Sequence, residues 1–68
     1  MNEQEDKELI ELMARAAVEI GLEQVRADRR WIHVGYDSYD EMAEHLKNFT
    51  RAQMRGVLEA QRKWLRRE

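Results

Sequence analysis

Between positions 33 and 45 the chain gathers most of the side chains that could do chemistry: His33, Asp37, Ser38, Asp40, Glu41, Glu44 and His45. Glu41 and His45 stand four residues apart, which puts both on one face of a helix. A carboxylate and an imidazole at that spacing can begin a zinc site, with His33 or Asp37 completing it. Asp37, Asp40, Glu41 and Glu44 together could hold a hard cation, or divide into an acid and a base. Each reading has a plainer competitor. Ser38 and Glu41 form S-x-x-E, the pattern of a helix capping box, and Asp40 and Glu41 suit a first turn whose unpaired N–H groups favour negative charge. No third group is placed to orient a base toward Ser38. The chain has no glycine-rich phosphate loop, no cysteine and no H-E-x-x-H. With 68 residues it also has little material to wall a substrate off from water. The expectation is a protein that is not an enzyme and uses no metal or cofactor, with His33 a partly buried structural residue and His45 a surface or interhelix hydrogen-bonding one.

The elements that would position these groups read as helical. Proline is absent, glycine occurs three times, and hydrophobic residues make up 43% against 38% charged. That balance favours helices and is too apolar for a typical disordered chain. A first helix is predicted from Gln4 or Glu5, with acids crowding its start. Its inward stripe would be Leu9, Ile10, Leu12, Met13, Ala16, Ala17 and Ile20. Gly21 either ends it or marks close packing. A second helical stretch is expected over 22–30. Trp31 to Val34 reads as a buried connector or a helix end, with a short edge strand as the other option, and Gly35-Tyr36-Asp37 reads as a turn. Ser38 then caps a third helix whose apolar face is Met42, Ala43, Leu46 and Phe49. Thr50 with Gln53, T-x-x-Q, repeats the device. A last helix from Arg51 to about Arg67 would turn Met54, Val57, Leu58, Trp64 and Leu65 inward. The expected fold is all-α: a single domain over 1–68, a small bundle of three or four short helices, completed by dimerisation if the small core needs it.

Two helix starts in succession pose the question of a helix-turn-helix over residues 38–67. In that arrangement Thr50, Arg51, Gln53 and Arg55 would reach DNA, with Arg62 and Arg66 following the phosphates. Charge segregation is consistent with it: residues 1–49 carry six basic and twelve acidic side chains, and residues 50–68 carry six basic and two acidic. Three features oppose it. The turn Lys47-Asn48-Phe49 has no glycine, the supporting helix is acidic at Asp37, Asp40, Glu41 and Glu44, and the last helix is long enough to serve bundle packing. Glu59 interrupts the basic side of the last helix and can pair with Arg55 or Lys63.

The favoured functional expectation is a small regulatory or accessory protein that binds another protein. Tyr36, Asp37, Tyr39, Asp40 and Glu44 form an aromatic and acidic candidate contact, since tyrosine and tryptophan are frequent interface anchors. Trp64 is expected in the core. A homodimer through the first-helix stripe and the last helix is the second part of that expectation, and a DNA-binding regulator is the alternative. No run is apolar enough for a membrane span, and the acidic start MNEQEDKELIE lacks the basic-then-apolar pattern of a secretory leader, so the expected compartment is the cytoplasm.

Overall fold

Asn2 starts the first helix: its side-chain oxygen accepts the Glu5 backbone N–H at 2.8 Å. Glu3, Glu5 and Asp6 fill the first turn, where they complement the exposed N–H groups. The computed structural model describes residues 2–28 and 34–67. Over these the chain is all-α, with two helices, α1 (Glu3–Ala27) and α2 (Glu44–Leu65), and no strand among the described residues. Gly21 does not end α1, which runs on to Ala27 and closes with the Asp28 N–H on the Gln24 carbonyl. The expected second helix over 22–30 is, through Ala27, the end of α1. Trp31, Ile32 and His33, and with them the connector or strand expected there, lie outside the described residues.

The largest departure from expectation falls between Ser38 and Thr50. The S-x-x-E signal closes a turn rather than opening a helix. The Glu41 N–H reaches the Ser38 carbonyl at 3.2 Å, the Met42 N–H reaches the Tyr39 carbonyl at 3.1 Å, and the Glu41 carboxylate accepts the Asp37 N–H at 3.2 Å. The glutamate thus accepts a backbone N–H as in a capping box, but from Asp37 within the turn rather than from Ser38. The helix begins later, at Glu44, with Ala43 as an N-cap that contributes no side-chain bond. The T-x-x-Q signal does not start a new helix. Thr50 is buried inside α2 and donates its hydroxyl to the Leu46 carbonyl at 3.0 Å, the back-bonding a mid-helix threonine uses. Neither glycine nor proline stands between 44 and 55, so nothing breaks the winding. In place of the expected three or four helices there are two among the described residues, and the turn-and-second-helix geometry of a helix-turn-helix is absent over 44–65.

α1 and α2 run antiparallel. Asp6 meets Arg62 at 2.7 Å and Glu11 meets Arg51 at 2.7 Å, so ascending positions on one helix match descending positions on the other. The connection folds back over the C-terminal half of α1. Arg26 donates to the Asp37 carbonyl at 2.6 Å, and Gly35 sits at φ +86°, a left-handed conformation glycine adopts without strain. The fully or nearly buried side chains are Ile10, Ala14 and Leu22 from α1, Tyr39 and Met42 from the connection, and Thr50 and Leu58 from α2. Ala14, Tyr39 and Met42 form the central cluster, with Val18, Tyr36 and Met54 packed against it.

Tyr39 is the largest fully buried side chain, at 1% exposure, and its hydroxyl has no hydrogen-bond partner among the described residues. Its ring lies under the Arg15 guanidinium, 5.0 Å from the centroid, and the Lys47 ammonium, 5.6 Å away. Tyr39→Phe keeps the ring and removes only the hydroxyl, whose largest electrostatic interaction is with the Glu11 carboxylate, so it is expected to change stability by no more than about 1 kcal/mol. Tyr39→Ala is expected to cost about 3–5 kcal/mol, comparable to the whole stability of a domain this small. Thermal and urea melts followed by circular dichroism check both, and equal losses in the two variants would show that the hydroxyl, not the ring, holds the connection.

Candidate interaction surface

Most of the polar side chains that the sequence offers for recognition are occupied within the hairpin. Arg51 is half-buried and makes four bonds: Nε to Glu11 at 2.7 Å, Nη2 to the other Glu11 oxygen at 3.3 Å, and Nη1 to Glu44 and to Asn48 at 2.9 Å each. Hydrogen bonding to Glu11 and then Glu44 raises the Arg51 pKa further, and the same Arg51 contact holds the Glu11 carboxyl below its ordinary value. Arg62 grips Asp6 through two bonds of 3.1 and 2.7 Å, and that contact lowers the Asp6 pKa. Arg15 does the same to Asp40, at 3.1 and 2.8 Å. Such two-pronged pairs fix geometry as well as adding energy.

The residues expected to meet DNA are therefore placed in two groups. Thr50, Arg51 and Arg62 face the hairpin's own partners. Gln53, Arg55 and Arg66 are exposed, with the Arg66 Nε on the Arg62 carbonyl at 3.2 Å. The residues expected at a protein contact also divide. Tyr39 is core, and Tyr36 is half-buried against that core. A tyrosine that inserts into its own chain leaves no ring for a partner, so Tyr39 is corrected from contact residue to core residue. Asp37, Asp40 and Glu44 are exposed, with Asp40 and Glu44 already in ion pairs.

Among the described residues no three metal-ligand side chains come together, and His45 is exposed on α2. His33 lies outside them. An open cleft of about 420 Å³ lies between the helices, lined by Lys7, Ile10, Glu11, Arg51, Ala52 and Arg55, and its carboxylate is the one bound to Arg51. No helix among the described residues is long and apolar enough to cross a membrane.

What the sequence reading did not assemble is an apolar face. Leu12, Ile20, Leu46, Phe49, Val57, Trp64 and Leu65 are exposed, from 36% at Leu46 to 72% at Leu65. At about 100° per residue, Leu46, Gln53, Val57, Ala60 and Trp64 fall in one narrow stripe along α2, with Phe49 on its edge. This stripe is invisible while the helix is split at Thr50. It stands about 100° around α2 from the face formed by Thr50, Met54 and Leu58. On α1, Leu9, Met13, Ala16 and Ile20 form a stripe displaced by about the same angle and in the same rotational sense from the face that meets α2, with Leu12 on its outer edge. Equal displacement on antiparallel helices places both stripes on one side of the hairpin. Glu11, Arg51 and Glu44 are displaced in the opposite sense and mark the other side. Val57, Trp64 and Leu65, expected in the core, are thus surface residues, and Arg67 lies 3.5 Å above the Trp64 ring.

The chain matches no known protein family, no curated protein and no solved structure.

The ion pairs give a pH signature. The folded carboxyls of Asp6, Glu11 and Asp40 ionise below their ordinary values of 3.8 for aspartate and 4.5 for glutamate. Their contribution to stability is therefore complete above those values and is lost as pH falls through the lowered folded values. Tyr39 has the opposite sign: burial first, then the Glu11 carboxylate, raises it above 10.0, so its contribution is complete below 10.0 and is lost as pH rises through the folded value. Melting temperature is expected to be flat through neutral pH, to fall below about pH 4, and to fall again in strong alkali. Asp6→Asn should flatten the acid limb and Tyr39→Phe should remove the alkaline shift.

Proposed function

We propose that this chain is a non-enzymatic, protein-binding helical hairpin, an accessory or regulatory factor whose contact surface is the apolar side formed by Leu9, Ile20, Leu46, Val57 and Trp64, with Phe49 on its edge. The single observation that carries the reading is the exposure of Ile20 on α1 and of Leu46, Val57 and Trp64 on α2, which the helical periodicity puts on the same side. A soluble chain with contiguous apolar surface of this extent is specialised for association, because scattered hydrophobics are ordinary but aligned ones are not. A second layer of helix on this side would complete the bundle that the hairpin begins. Asp37, Asp40 and Glu44 take no direct part in this reading; two of them brace the fold.

DNA is the weaker candidate on the same evidence. Of the arginines expected to serve it, Arg51 and Arg62 hold the two helices together. Moving them to phosphates would leave Glu11 and Asp6 without their cations.

A photo-crosslinking residue at Phe49 is expected to capture protein in cells or at high concentration, while the same residue at Glu59, on the polar side, captures none. Random-sequence duplex DNA is expected to bind weakly if at all at low salt. Affinity that is strong, falls steeply with salt and is lost in an Arg55→Ala/Arg66→Ala variant would replace this reading with the nucleic-acid one.

A further inference from the structure

We infer that the occupant of the apolar side is a second copy of this chain, packed so that α1 of each copy lies against α2 of the other in an antiparallel four-helix bundle. The inference rests on the protein-binding reading above and names its partner.

The first argument is thickness and area. The Cα trace measures 45 × 25 × 14 Å, so in its thinnest direction it holds a single layer of helix. A helix with its side chains is about 10–12 Å across. The apolar side is about 33 Å long by the rise of 22 residues and about 20 Å wide by the spacing of two helices, a footprint of about 650 Å². That approaches the roughly 800 Å² each partner contributes to a standard stable interface. A second identical hairpin matches the footprint in length and width, and a two-fold interface needs only that one patch be self-complementary.

The second argument is charge, and it selects the arrangement. α1 carries seven acidic and three basic side chains, and α2 carries five basic and two acidic. A two-fold axis across the helices would stack α1 on α1 and α2 on α2, acid facing acid. A two-fold axis along the helices stacks α1 on the partner's α2, acid facing base. Like charges directly opposed across a packed face are costly, so the second arrangement is favoured. It also keeps every neighbouring helix pair antiparallel, the geometry of an up-down bundle.

The third argument is register. The Asp6–Arg62 and Glu11–Arg51 pairs bracket the register, so residues 8–9 stand about level with residues 56–57 within one copy. A two-fold axis along the helices preserves level, so residue 5 of one copy stands about level with residue 60 of the other, within one helical turn of residue 63. Glu5 lies on the outer edge of the α1 stripe and Lys63 on the outer edge of the α2 stripe. Both are exposed, and neither forms an ion pair within the hairpin among the described residues. They occupy the flanking positions at which charge pairs fix partner choice and orientation between packed helices. Glu5 and Lys63 of opposite copies are thus assigned to each other, twice per dimer.

The test is sedimentation equilibrium of the full chain from about 1 to 200 μM, a span that covers micromolar dissociation constants, with three variants. The wild type is expected to be a dimer, and Ile20→Glu a monomer throughout. Glu5→Lys and Lys63→Glu are each expected to weaken the dimer by about 3- to 10-fold, the effect of reversing two exposed pairs. Glu5→Lys/Lys63→Glu is expected to recover most of the loss, which a variant that merely unfolds cannot do. A wild type that stays monomeric to the highest concentration overturns the inference. A dimer whose double reversal recovers nothing overturns the α1-on-α2 arrangement, and so does an assembly that Ile20→Glu leaves intact. A monomer that still crosslinks a different protein through Phe49 leaves the protein-binding reading standing without this partner. A monomer that crosslinks nothing removes both.

Discussion

The insertion of the Tyr39 ring beside Ala14 is the contact on which the other features of the hairpin depend. Ala14 is wholly buried and has only a methyl group, so it leaves room on α1 for an aromatic ring that the helix itself does not supply. With Tyr39 and Met42 seated there, residues 38–42 form a turn, closed by the Glu41 N–H on the Ser38 carbonyl and the Met42 N–H on the Tyr39 carbonyl. The turn delays α2 to Glu44. That start in turn brings Arg51 within reach of Glu11 and Arg62 within reach of Asp6. Placement of one ring thus sets the helix boundary, the register and the ion pairs that lock it.

The same arrangement explains why so much apolar surface remains exposed. Each helix carries two apolar faces about 100° apart. In a layer of two helices each has only one neighbour, so one face of each is covered and the other is not. The connection covers part of the remainder by folding over the second half of α1, where Val18 and Leu22 would otherwise be bare. It does not reach the stripes at Ile20 and along α2. Among the described residues, seven side chains at or below about a tenth exposure form a thin core. A chain of this size buries only roughly 60% of the surface its unfolded form exposes. Burial of the second faces against another chain, as proposed above, would therefore be continuous with folding itself.

Much of this was legible in the sequence, and the failures have physical causes. The helical class followed from propensity and the absence of proline, and the acidic first turn marked where α1 begins. The capping signals misled because they are local: S-x-x-E stabilises any segment that presents a free N–H to the glutamate, and a turn does so as well as a helix. Thr50 misled because a threonine hydroxyl accepts at a helix start and donates to the carbonyl four residues back in a helix middle. Splitting α2 at that point divided one stripe into two unrelated fragments. On α1 the reading joined Ile10 to Leu12, Ala16 and Ile20 as one broad face. Which half of a broad face meets a neighbour is a tertiary fact, and Ala14 and Leu22, decisive here, are ordinary residues in any periodicity count. Tyr39 was read as a contact residue because tyrosine suits both roles, and nothing in one sequence separates them.

The use of arginine bears most directly on function. A protein that reads nucleic acid leaves its cations free to release counterions on contact. Here the guanidinium groups with the best geometry, on Arg15, Arg51 and Arg62, are each held by two bonds to a carboxylate of a distant segment. They brace one side of a hairpin whose other side is apolar. The charge segregation that first suggested a DNA-binding half is better explained as a matching rule between the helices. An acidic α1 and a basic α2 attract within one chain, and the same complementarity is offered to any chain that presents them in the opposite order. A second copy of this sequence does so without further design, because a two-fold axis along the helices exchanges their order while preserving their direction.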